Sequence, residues 1–200
     1  MSIKKRHYKN YDEYVSHQKE KTEDPARRMR LQKAFDKRKD YFLRRFSAIG
    51  RLINGVFSNR DKSIVCLGAR MGEEVVAFNE MGFEHAIGID LVPNPPHVIE
   101  GDFHNLTFND KSVDIFYTNA LDHSWNPTEM FKEVYRCLIP GGYFFADFFD
   151  GHMGTYEACQ IDTIQEVERM MPLGMKLVNS RRMPVTLSDS GYELIFKKDK

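Results

Sequence analysis

The stretch SIVCLGARMGEEVV, residues 63–76, decides the fold. An apolar run from Ile64 to Leu67 ends at Gly68, and Gly72 opens a segment of helical character. Strand, glycine turn and helix in that order bring backbone close to a ligand at the carboxyl edge of a sheet. Dinucleotide sites use GxGxxG at this place and rest a pyrophosphate on the helix N-terminus. Here Arg70 stands between Gly68 and Gly72, so that fingerprint is not met. Glu73 and Glu74 fill the first helical turn, where they favour the helix dipole and repel a diphosphate. The turn is expected to hold a ligand without phosphate, one that bears positive charge.

Outward from the turn, short apolar runs alternate with helical stretches. HAIGIDL (85–91), VDIFYTNA (113–120) and GYFFADFF (142–149) read as strands, and EEVVAFNEMG, PTEMFKEVYRCL and IDTIQEVERMM as helices. Such alternation implies parallel pairing through right-handed crossovers, hence an open α/β sheet covered on both faces. MKLVNSRRM (175–183) and GYELIFKK (191–198) have no helix-length segment between them and are expected to form an antiparallel hairpin.

Asp90 closes the run IGIDL 22 residues beyond Gly68, where a carboxylate accepts hydrogen bonds from both hydroxyls of a ribose. In GDFHNL (101–106), Asp102 and Phe103 are placed to meet a base, one at its exocyclic amine and one at its face. A ribose, a base and no phosphate point to S-adenosylmethionine, whose sulfonium supplies the positive charge.

Taken in order, VCLGARMG, IGIDL, GDFHNL, VDIFYTNALDHSWNP and LIPGGYFF resemble the class I S-adenosylmethionine-dependent methyltransferases, of the type 11 kind, over residues 61–200. The resemblance implies a seven-stranded, mostly parallel, doubly wound (Rossmann-like) sheet whose last strand is antiparallel, carrying an N-terminal helical extension. It makes Gly68, Ala69 and Gly72 the methionine-side cradle, Asp90 the ribose acid and Leu91 a contact of the adenine. Asp102 and Phe103 frame the adenine ring, and Asn119 and Ala120 lie beneath the methionyl group. Two positions depart from the family: Cys66 stands where an acid is usual, and Arg70 replaces the middle glycine. Arg70 is expected to pair with the methionine carboxylate, and Glu73 or Glu74 to help neutralise its ammonium.

The chain has 200 residues and a formal net charge of zero, which conceals an asymmetry. Residues 1–60 hold 17 Lys and Arg against 7 Asp and Glu, and residues 61–200 hold 12 against 22. The basic segment is read as an arm, residues 1–60, joined to a methyltransferase domain, residues 61–200. Asp24-Pro25 marks a helix start, and Leu31, Phe35, Phe42, Phe46, Ile49 and Ile53 form one apolar stripe beyond it. A shorter helix around residues 11–21 is anchored by Tyr8, Tyr11 and Tyr14. No apolar run reaches the roughly 18 residues of a membrane span. The basic, polar N-terminus is not expected to act as a secretory signal, and three cysteines without a CxxC pair suit a reducing compartment. A cytoplasmic location without membrane contact is expected.

The chemistry is expected in TNALDHSWNP (118–127). His123 is the candidate base, Asp122 its orienting or substrate-binding partner, and Trp125 a lid or platform. Ser124 and Asn126 before Pro127 read as capping residues. Asp147, Asp150 and His152, with Asp122, hold the oxygen ligands that Mg²⁺ favours, but turn chemistry accounts for them and no metal is expected. Asn94-Pro95-Pro96-His97 looks like the NPPY-type motif of amino-methylating nucleic-acid enzymes, yet it follows the second strand and reads as a stiff loop. His85, His97 and His104 read as surface or loop groups. The expected activity is methyl transfer to an oxygen or nitrogen of a small molecule. Two alternatives stay open: an RNA or protein methyltransferase that docks through the basic arm, and a cofactor-binding protein without catalysis.

Overall fold

The computed structural model describes residues 3–149, 153–183 and 191–200. A two-residue strand β1 (Lys4–Lys5) leads into helices α1 (Tyr11–Glu23) and α2 (Pro25–Leu52). Asn10 caps α1 by accepting from the Glu13 amide, and Asp24 caps α2 by accepting from the Arg27 amide, with Pro25 in the first turn. These bonds satisfy amides that have no partner inside the helix.

Then follow β2 (Ile64–Leu67), α3 (Glu73–Glu80), β3 (Ala86–Asp90), β4 (Val98–Glu100) and β5 (Val113–Thr118). A 3₁₀ turn over Leu121–His123 leads to α4 (Pro127–Cys137) and β6 (Leu138–Phe149). The chain continues through β7 (Cys159–Gln160), α5 (Ile164–Met170), β8 (Met175–Arg182) and β9 (Gly191–Lys198). Seven strands form one sheet in the order β4-β3-β2-β5-β6-β9-β8. Its neighbours are parallel except that β9 runs against both β6 and β8. The expected doubly wound sheet, its antiparallel last strand and the hairpin at its end are all present.

Because β2 pairs Leu67 with Ile89 on one side and with Thr118 on the other, three strands end at the same edge. Gly68, Asp90 and Ala120 leave the sheet there together. Successive side chains of a strand face opposite ways, and the core accordingly divides in two. Val65 and Leu67 join Phe116, Phe131 and Phe144 on the α4 side. Ile64 and Cys66 join Phe46, Phe78 and Tyr117 on the α2–α3 side.

The arm packs into this second half of the core. Phe42, Phe46 and Ile49 are buried as the stripe required, and Phe46 stacks on Phe78 with ring centroids 3.9 Å apart. Leu31, Phe35 and Ile53 are only half-buried. Between the buried rings Arg45 enters the core as well, an ion that the apolar spacing did not foretell. It bonds both oxygens of Asp147 at 2.6 and 2.7 Å and Glu193 at 2.6 Å. Tyr117 also donates to Asp147, at 2.7 Å. Asp147 is thus held by Arg45 and Tyr117 rather than available to a loop cation, while Asp150 and His152 lie outside the described residues.

Three further strands, β1, β4 and β7, escaped the pattern. β4 has only three residues, two of them exposed, too few for a period of two to show. β1 pairs antiparallel with β7 and ties the start of the arm to the segment after β6.

Candidate active site

Asp90 stands at the carboxyl end of β3 and organises the glycine turn. Its Oδ2 accepts from the Arg70 amide and its Oδ1 from the Val92 amide, both at 3.0 Å. Burial raises its pKa, and the two amides and the Arg70 charge oppose that rise. Each oxygen keeps a lone pair for a further donor. Gly68 has φ of +70°, and a Cβ there would come within 2.7 Å of Ala120 Cβ and 3.6 Å of Phe103. Glycine is required both for the conformation and for this close approach. Arg70 takes φ of +43°, a region that favours glycine, so its side chain is carried there under backbone strain.

Gly68, Arg70, Asp90, Leu91, Phe103, Ala120 and His123 line one cavity. They include a carboxylate for a diol, apolar and aromatic surface for a base, and a glycine turn that admits close backbone approach. That set fits an adenosyl group carrying an amino-acid tail. No guanidinium hydrogen bond is made by Arg70 among the described residues, which suits the carboxylate of such a tail.

The other expected contacts are placed differently. Ala69 is buried in the core, and contributes its amide to the Ile89 carbonyl at 3.0 Å. Gly72 closes the turn against His97 and Val98 and does not line the cavity. Asn119 does not line it either. Glu73 is bound by Arg38 of α2 at 2.7 Å, and burial drives Glu74 up to about 8, with Glu73 beside it adding to the shift. Neither glutamate lines the cavity.

Asp102 is likewise committed elsewhere. It accepts from the hydroxyl of Tyr11 and from the amide of His104 at 2.8 Å, and His104 Nδ1 lies 3.0 Å from it. Burial pushes the Asp102 carboxyl up, but these bonds outweigh it and hold the group below its usual value. His104 is therefore no surface group: its Nε2 also meets the Ser124 hydroxyl at 2.9 Å. Ser124 and Asn126 make no side-chain cap for α4. Trp125 stacks on Tyr11, centroids 4.8 Å apart, and so joins the sheet edge to α1.

The roof of the cavity is α1. Tyr14, Gln18, Lys21 and Thr22 line it from above. Tyr14 donates to the His123 carbonyl at 3.1 Å and Gln18 to the Tyr156 carbonyl at 2.8 Å. Lys21 Nζ donates to His123 Nε2 at 2.5 Å. His123 Nδ1 lies 3.1 Å from the Tyr156 carbonyl, which makes Nδ1 the protonated nitrogen and Nε2 the bare acceptor. The volume left open is about 40 Å³. Ligand pockets run to roughly 300–1,000 Å³, so the cavity as it stands is too small for a nucleoside.

Electrostatics separate the two candidate bases. Burial and the neighbouring Lys21 charge push His123 down to about 3. Burial pushes Asp122 up to about 6, against the pull of Lys21. Burial lowers Lys21 to about 7. Burial and the Lys21 charge thus disfavour a proton on His123, whereas burial favours one on Asp122. Lys21, Gln18 and Tyr14 were not legible as site residues, since no motif marks a polar helix face that turns inward.

A glycine turn and a carboxylate at the carboxyl edge of an open parallel sheet define a Rossmann-like nucleoside-binding domain. Residues 65–146 match the family model described as a methyltransferase domain. The chain is 30% identical over 112 residues to cycloartenol-C-24-methyltransferase 1 of Oryza sativa subsp. japonica, a match covering 50% of this chain and 30% of that enzyme. It thus spans under a third of the length of that curated relative. Among solved structures, the PH0226 protein of Pyrococcus horikoshii superposes with a TM-score of 0.61 at 16% identity, over 89% of this chain and 93% of the other. The YcgJ protein of Bacillus subtilis gives 0.62 at 14%, over 78% and 99%. An S-adenosylmethionine-dependent methyltransferase of Mesorhizobium loti gives 0.55 at 14%, over 72% and 100%. These structures share the fold. The match to a methyltransferase domain falls on the segment from β2 to β6 that builds the cavity. No helix among the described residues is long and apolar enough to cross a membrane.

Proposed function

We propose that the chain transfers a methyl group from S-adenosylmethionine to an oxygen or nitrogen of a small molecule, with α1 as the lid of the site. The observation that carries this reading is that Gly68, Arg70, Asp90 and Phe103 line one cavity together with residues of α1. A site roofed by its own helix favours an acceptor small enough to be enclosed. When bound, the cofactor supplies a methyl group activated by its sulfonium. The protein then has to align the acceptor with it, and positioning of that kind is worth roughly 7–11 kcal/mol of barrier. Asp90 grips the sugar, Phe103 and Leu91 flank the base, and Arg70 meets the amino-acid carboxylate. Tyr14, Gln18 and Thr22 exclude water once α1 closes, and Asp122 accepts the proton that the nucleophile loses.

The exposed Arg30, Lys33, Lys37 and Arg44 on the outer face of α2 favour a second reading, an RNA acceptor docked on the arm. Binding dominated by phosphates weakens steeply with salt, so activity that falls sharply between 50 and 200 mM salt selects it. Calorimetry with S-adenosylhomocysteine and NAD tests the main reading. S-adenosylhomocysteine is expected to bind and NAD not, and Asp90→Ala to weaken binding about 10- to 100-fold, as the loss of charge-assisted hydrogen bonds implies. Tighter binding of NAD, or an Asp90→Ala variant with unaltered affinity, defeats the reading.

A further inference from the structure

Lys21 is 5% exposed, and its ammonium points at the bare Nε2 of His123. The charges of Asp122 and Glu157 favour the protonated form of the same ammonium. Ligand atoms of Asp122, His123 and Glu157 all lie within 4.8 Å of one another. Oδ1 of Asp122 is buried there without a hydrogen-bond partner. Two carboxylates and an imidazole nitrogen around one point offer three acceptors to the three N–H bonds of an ammonium. The same lysine and the same histidine line the cavity above Gly68 and Asp90, so the imidazole of His123 is where the cup meets that cavity, while Asp122 and Glu157 lie behind it. Outside it, a groove of about 440 Å³ along α1 is lined by Ser16, Lys19, Glu20, Glu23, Asp24 and Tyr156. Three carboxylates against one lysine attract cations. The groove shares Tyr156 with the cup, since the Tyr156 carbonyl faces His123 Nδ1.

We propose that the Asp122–His123–Glu157 cup receives the amino group of the methyl acceptor, a primary or secondary alkylamine, and that Lys21 is a tethered stand-in displaced by it. The proposal rests on the methyl-transfer reading and narrows its acceptor from oxygen or nitrogen to an aliphatic nitrogen. The bound ammonium gives one proton to Asp122. The lone pair so freed forms the new N–C bond while the S–C bond breaks. The sulfonium becomes a neutral thioether, and the nitrogen carries the positive charge away. Lys21 meanwhile has to withdraw with α1, the same movement that admits a nucleoside.

The test uses the full chain with Lys21→Ala and n-butylammonium as the probe. Butylammonium is expected to bind this variant and raise its Tm by about 5 °C or more at 100 times the dissociation constant. The wild type and Lys21→Ala/Asp122→Asn should not shift, nor should butanol act on any of them. Failure of butylammonium to bind Lys21→Ala, while S-adenosylhomocysteine still binds, overturns the cup and leaves the methyl-transfer reading intact. Stabilisation by Mn²⁺ in place of the amine overturns it too, in favour of a metal site. If S-adenosylhomocysteine fails to bind the wild type, the methyl-transfer reading fails, and with it the acceptor role of the cup. Should Lys21→Ala not fold even with amine present, wild-type transfer rates with alkylamines, alkanols and carboxylates decide. Methyl found on amines supports the cup, and methyl found only on oxygen refutes it.

Discussion

Replacing Arg45 with Met removes the ion that fastens the arm to the sheet. Its guanidinium sits between Asp147 and Glu193, each 1% exposed, and reaches them at 2.6 to 3.1 Å. Glu193 keeps a second partner in Arg181 at 2.5 Å, but Asp147 is left with the Tyr117 hydroxyl alone. A buried carboxylate stripped of its cation destabilises a fold by about 3–5 kcal/mol. For a chain of this size, about 2–4 °C per kcal/mol translates that into a Tm fall of roughly 6–20 °C. Urea unfolding of Arg45→Met, Asp147→Asn and the double variant measures the effect. Because Asn carries no charge, the double variant should be more stable than Arg45→Met by about 1 kcal/mol or more, the non-additivity expected of contacting groups. An Arg45→Met loss below 1 kcal/mol, or two losses that simply add, would show that the network does not hold the arm.

Other consequences follow from the same geometry. Phe46→Ala, which removes the ring stacked on Phe78, should lower stability by about 3–5 kcal/mol in the same urea assay. Gly68→Ala forces a Cβ into Ala120 and strains the turn; about 1–3 kcal/mol of stability and at least tenfold in S-adenosylhomocysteine affinity by calorimetry should be lost. His123, held at about 3 against 6.5 when unfolded, binds fewer protons in the native state. Its contribution is therefore lost as pH falls from 6.5 towards 3, and His123→Asn should flatten the decline of urea midpoints in that window. Lys21 at about 7 against 10.5 has the same sign at higher pH. Wild-type stability should gain from Lys21 as pH climbs from 7 to 10.5, and Lys21→Met should remove that gain.

The sheet and the cofactor edge were legible because they are written in short range. Ile64–Leu67 followed by Gly68, and Ile89-Asp90 closing the next strand, are local signals whose meaning needs no distant residue. The surroundings of Glu73 and Asp102 were not legible, for the opposite reason. Each sits where a ligand contact belongs, but Arg38 and Tyr11 of the arm, far away in sequence, claim their carboxylates first. Lys21 and Gln18 were missed because a buried polar side chain leaves no hydrophobic mark. One trace was present: Tyr14, Gln18, Lys21 and Thr22 recur at helical spacing, so a single face of α1 carries the residues that line the cavity. Arg45 hid in the same manner, flanked by the aromatic stripe it accompanies.

A structure of the complex with S-adenosylhomocysteine probes the account at its root. The ribose hydroxyls should rest on Asp90, the amino-acid carboxylate on Arg70, and α1 should stand clear of its present contacts with His123 and Tyr156. A ligand bound away from the Gly68 turn, or seated there with Lys21 still on His123, contradicts it.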